Sequence, residues 1–106
     1  MELEELKKKL RTYKKKDIIV VHHAEMQAYV REVDLEEVKE NIANPDKLVF
    51  AQKQKARRDN EEKYNCYFAY SNEMFHRYAI VINGKIIIVT IIKVNRNWQR
   101  AVEGKK

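Results

Sequence analysis

The chain has 106 residues, 44% of them hydrophobic and 36% charged, with a formal net charge of +6. That is enough for one hydrophobic core and too little for two, and two Gly and one Pro leave no room for long flexible linkers. A disulfide scaffold is excluded because Cys66 stands alone, and a helical membrane protein because no run approaches the ~20 apolar residues a span requires.

From the N-terminus, Leu3, Leu6, Leu10 and Tyr13 recur at spacings of three and four, predicting an amphipathic helix over 2–15. Its glutamates come first and its lysines last, which complements the helix dipole. The β-branched run DIIVV, 17–21, predicts a short buried strand. From His23 to Val33 the pattern is helical again, with Met26, Val30 and Val33 expected inward. Asp34 with Glu37 reads as a capping box opening a second helix, whose inward residues are Leu35, Val38 and Ile42. Pro45 stops that helix, since proline cannot continue its hydrogen-bond ladder.

The remainder predicts strands: 47–52, then a polar loop, then 64–71, 74–83 and 85–95. Asn83-Gly84 between two β-branched runs signals a two-residue hairpin, setting Ile82 opposite Lys85 and Arg77 opposite Thr90. A turn at Asn72-Glu73 would set Phe68 beside Arg77 and Tyr67 beside Tyr78. One face would then carry Cys66, Phe68, Tyr70, Phe75, Ala79, Val81, Ile86, Ile88 and Ile92 with Arg77 and Thr90, and this is the face expected under the helices. The other would mix Tyr67, His76, Tyr78 and Lys93 with Ile80, Ile87, Val89 and Ile91, a partly open aromatic surface. The fold class expected is α+β, a single domain with helices on one face of a four- to five-stranded, mainly antiparallel sheet.

Charge is distributed unevenly. Residues 1–16 carry seven basic and three acidic side chains, residues 93–106 five and one, and the middle ten and twelve, so both ends are +4 and the centre −2. Within the centre, Lys53, Lys55, Arg57 and Arg58 form a local basic cluster. Phosphate backbones are the commonest partners for such a distribution, and the alternative is a solvated surface that aids solubility. The charged N-terminus shows no secretory pattern, so the expected compartment is the cytoplasm.

The order of short motifs is more specific than any one of them. His23-Ala24, then Arg31, Val33 and Asp34, then Val38 and Asn44-Pro45-Asp46, followed by Arg77 and Val89-Thr90, resembles a family of small prokaryotic domains related to the RelE and BrnT toxins. The resemblance covers about residues 17–94 and leaves the N-terminal helix and the basic segment 95–106 outside it. Gln27 stands where many members carry Arg, and Glu32 where they carry Gly. It implies a RelE-like sheet with packed helices, a metal-independent ribonuclease or a descendant of one, and an acidic antitoxin as partner.

Such cleavage needs a group to deprotonate the 2′-hydroxyl, a group to protonate the leaving oxygen and positive charge at the phosphorane. Histidine suits either proton role, since its ordinary pKa lies near neutral pH. His23, at the passage from strand to helix, is the acid/base candidate; the structural alternative is that it orders the corner. His22 reads as an exposed or strand-end residue outside the pattern. Arg31 and Arg77 are the phosphate contacts, and Thr90 is a hydrogen-bonding support; Arg77 could equally belong to a structural ion pair. The RNA-binding set comprises Lys53, Lys55, Arg57, Arg58, Tyr67, His76, Tyr78, Lys93, Arg96 and Arg100, with the aromatics as stacking surfaces and Trp98 anchoring the tail. No histidine or cysteine spacing resembles a zinc or iron motif, so no metal or cofactor is expected. The reading is an RNA-binding protein or endoribonuclease. Its alternatives are a non-catalytic nucleic-acid binder of the same fold, or an interaction module whose helix 2–15 docks on a partner or a second copy.

Overall fold

The computed structural model describes residues 3–71 and 73–95. The elements are α1 (Leu3–Arg11), β1 (Ile18–Val20), α2 (His22–Val30), α3 (Leu35–Ala43), β2 (Leu48–Gln54), β3 (Glu62–Ala69), β4 (Met74–Ile82) and β5 (Ile86–Asn95). Short 3-10 turns occupy Lys15–Asp17 and Pro45–Lys47. The strands form one sheet in the order β1-β5-β4-β3-β2, antiparallel except where β1 runs parallel to β5. This is the expected α+β class.

All three helices pack on one face. Leu6 and Leu10 of α1, Ala24 and Ala28 of α2, and Val38 and Ile42 of α3 join a single buried cluster with the inward residues of the strands. Each fully buried Leu, Ile or Phe removes enough apolar surface from water to contribute roughly 1.5–3 kcal/mol. The leucine stripe of α1 is therefore spent on the protein's own core. Polar contacts tether the same helix: Lys9 to Glu62 on β3, and Arg11 to Asp46 at 3.0 Å. Tyr64 also donates to Glu62, and these two partners hold the Glu62 carboxyl below its ordinary range.

Helix α2 departs from its expected inward stripe. Met26 and Val30 are 50% and 72% exposed, while Ala24 and Ala28, one turn apart, are buried. Small side chains let α2 lie close over β5, and Gln27 on the same flank reaches the strand's backbone. The corner after α2 explains why Val33 still points inward. Val33 N–H donates to Ala28 C=O at 2.8 Å and Glu32 N–H to Tyr29 C=O at 3.2 Å, the paired bonds of a Schellman motif. Glu32, at the left-handed position of that motif, has φ +56. The chain then turns into α3, capped by Asp34, whose Oδ1 accepts from the Glu36 amide at 3.0 Å.

The hairpin lies where Asn83-Gly84 placed it, but its register differs. Among the described residues only Gly84 and Glu32 have positive φ, so Asn83 does not supply the second positive φ of a type I′ turn. Lys85 joins the turn, and Ile82 pairs with Ile86 rather than Lys85. An irregularity at Ala79/Ile80 then admits Val89 as an extra residue, so Ala79 pairs with Thr90 and Arg77 with Ile92. Across the other ladder Phe68 pairs with His76 and Tyr67 with Arg77, one residue from the expected register.

Because side chains alternate with period two, these slips exchange the faces of β4. Tyr78, Ile80 and Ile82 face the helices, whereas Phe75, Arg77, Ala79 and Val81, expected inward, lie on the second face. On β5, Ile86 and Ile88 point inward as expected, but the extra residue turns Ile91 inward and Ile92 outward. The second face carries a smaller cluster of Phe50, Tyr67, Phe75 and Val94, drawn from strands alone.

Candidate functional sites

The four residues expected to act together are divided by the sheet. His23 lies exposed in the first turn of α2 and Arg31 exposed at its C-terminal end. Eight residues of helix separate them by about 12 Å along the axis. Thr90 and Arg77 belong to the second face, as their ladder partners Ala79 and Ile92 show. Arg77 is half-buried, and its buried Nε has no hydrogen-bond partner among the described residues. His22 is exposed, the first of the two expected alternatives, and stands beside His23 in the first turn of the helix. The one cysteine, Cys66, lies in the core, where burial pushes its thiol up to about 12, far from a nucleophile's range.

A second set does converge. The loop between β2 and β3 folds beside the β4–β5 hairpin and encloses a groove of about 500 Å³. Lys55, Arg57 and Arg58 from the loop and Lys63 from β3 surround it, opposed by the single carboxylate of Glu61. Its aliphatic wall is Val81, Ile87 and Val89, all on the second face. The loop has internal anchors: Glu61 N–H donates to Arg58 C=O at 3.1 Å, and Glu61 Oε2 accepts from Asn83 Nδ2 across the hairpin at 3.1 Å. Three of the four members of the expected basic cluster are therefore here. Lys53 is not: it pairs across the ladder with Tyr64, on the helix side, where its charge acts on Glu62. Lys63 and the aliphatic wall were missed by motif reasoning, although Lys63 flanks the basic run closely enough in sequence to have been included.

The third region is a buried polar chain beneath α3. Asn41 Nδ2 donates to Tyr78 Oη at 3.0 Å, and Tyr78 Oη lies 2.9 Å from His76 Nδ1. With Asn41 donating to the oxygen, the arrangement that also gives the Tyr78 hydrogen an acceptor is the tautomer with Nδ1 bare and the ring hydrogen on Nε2. His76 is 1% exposed, and its pKa falls to about 4 because burial disfavours the imidazolium and Lys93 and Lys47 add positive charge nearby. Burial likewise raises the Tyr78 phenol. Tyr70, 47% exposed, stacks on the His76 ring at 4.3 Å, and the Lys93 ammonium lies 5.6 Å from the Tyr70 centroid.

This arrangement corrects the expected aromatic surface. Tyr78 and His76 are enclosed under the helices, and Tyr67 is buried against Phe50, with ring centroids 5.3 Å apart, so none of these rings is free to stack on a base. Tyr70, expected in the core, is the exposed ring of the group. Arg96, Trp98 and Arg100 lie outside the described residues. Among the described residues, no helix is long and apolar enough to cross a membrane. No protein family, curated protein or solved structure matches the chain.

Proposed function

We propose that the protein binds single-stranded RNA through the groove between the β2–β3 loop and the β4–β5 hairpin. The observation that carries this reading is the convergence of Lys55, Arg57, Arg58 and Lys63 on one groove with an aliphatic wall. The four cations face phosphates, and Val81, Ile87 and Val89 offer an apolar surface to an unstacked base. Glu61 orients the loop through Asn83 and limits the excess charge.

Binding rather than cleavage is the better-supported activity. The exposed acid/base candidate His23 and the cations of the groove belong to opposite sides of the sheet, and the buried imidazole of His76 is held neutral.

The test is fluorescence anisotropy of a labelled single-stranded RNA across a salt series. Wild type should show a log-log salt slope that falls by about 0.7 for each phosphate contact removed, so Arg57→Ala with Arg58→Ala should flatten it by about 1.4. Affinity and slope unchanged in that double variant would overturn the groove as the binding site. The same samples run on a denaturing gel report cleavage, and shortened product in wild type but not in His23→Ala would restore the nuclease reading.

A further inference from the structure

The His76 chain ends on a donor with nothing to donate to. His76 Nε2, on the side of the ring away from Tyr78, is buried and without a hydrogen-bond partner among the described residues, and it carries the ring hydrogen in the tautomer that lets Tyr78 donate to Nδ1. A buried donor in that state is costly, because it has surrendered its water without replacement. Its surroundings are cationic. Lys93 is the ladder partner of His76 on β5, and Lys47 immediately precedes Leu48, which heads the row Leu48–Phe68–His76–Lys93 across the sheet. Both lysines act electrostatically on the ring. Glu37, the acidic group whose charge reaches this chain, acts on the Tyr78 hydroxyl at its opposite end.

We infer that His76 Nε2, Lys47 and Lys93 form a binding site for one phosphate group, bordered by the Tyr70 ring. The neutral imidazole supplies a directed N–H, the two ammonium groups supply charge, and Asn41 and Tyr78 hold the ring in the tautomer that donates. Tyr70, half-exposed just past the end of β3, stacks on one face of the His76 ring, so on that face a single side chain separates the imidazole from solvent. The site is separate from the basic groove. It lies on the helix side near the β3–β4 turn, whereas the groove lies on the second face beside the β4–β5 hairpin. Failure of either proposal leaves the other standing.

The experiment follows the ring nitrogens of His76 by 15N-edited NMR during titration with inorganic phosphate, with chloride at equal ionic strength as control. Phosphate should shift Nε2 saturably and raise the pH at which the ring titrates, since a bound dianion offsets the two lysines. Lys47→Ala with Lys93→Ala should weaken the phosphate response by at least about tenfold without disturbing the Asn41–Tyr78–His76 bonds, and Tyr70→Ala should strengthen it. A parallel arm compares single-stranded RNA with and without a terminal phosphate. A response only to the phosphorylated strand assigns the site to an RNA end, and a response to free phosphate assigns it to small phosphates. If His76 Nε2 responds to neither, or responds equally in the double lysine variant, the inference is wrong.

Discussion

Gln27 Oε1 accepts the backbone N–H of Ile91 at 2.9 Å, joining the middle of α2 to β5 two residues past the extra Val89. Strand β1 pairs with β5 only from Ile86 to Ile88, so the Ile91 amide lies beyond its reach. Leaving such a donor unpaired in the core costs about 1–3 kcal/mol. Gln27→Ala should lower unfolding stability by that amount in urea titration. Gln27→Arg should do the same, because guanidinium has no acceptor, while Gln27→Glu should retain most of the stability.

The neutral state of His76 gives stability a defined pH window. Its folded pKa of about 4 lies below the ordinary 6.5, so between those values the unfolded chain binds a proton that the folded chain refuses. Stability is therefore full above about pH 6.5 and falls as the pH drops toward 4, by up to about 3 kcal/mol. His76→Gln should flatten that window. A further loss below about pH 4.5 should survive the substitution, since Glu62 has a lowered pKa and its contribution disappears as it protonates. Thermal unfolding from pH 3.5 to 8 separates the two.

Glu32 occupies a left-handed conformation without being glycine. Its side chain is exposed, so removal sacrifices little packing. Glu32→Gly should stabilise the protein by about 1 kcal/mol, measured as a higher urea midpoint with an unchanged slope. A loss of stability would show that Glu32 makes compensating contacts.

The close approach of α2 to β5 depends on Ala24 and Ala28. Ala28→Leu improves the hydrophobic count of the helix but forces extra methylenes into a filled interface, so it should cost about 1–3 kcal/mol. Val30→Ala, at an exposed position on the same helix, should change stability by less than about 0.5 kcal/mol.

The local signals in the sequence were reliable where the physics is local. Asp34 caps α3, the 3-10 turn at Pro45 follows its end, and Asn83-Gly84 marks the β4–β5 turn. The basic run Lys55, Arg57 and Arg58 does border a groove. The inward stripe of α2 was misread because Met26 and Val30 are more hydrophobic than Ala24 and Ala28, while helix-to-sheet distance, a tertiary quantity, favours the smaller pair.

By itself the sequence determined the class of fold, the approximate strands and helices, and the points where helices stop, because capping, proline geometry and periodicity act over a few residues. Only the tertiary structure decided which face of β4 meets the helices. One residue more in the hairpin turn and one extra in β5 rotate every subsequent side chain through the sheet, and neither shift changes the hydrophobic pattern along the strand. That rotation buries His76 and Tyr78 beneath α3, carries Arg77 and Thr90 to the side opposite His23, and leaves the groove between loop and hairpin as the place where cations converge.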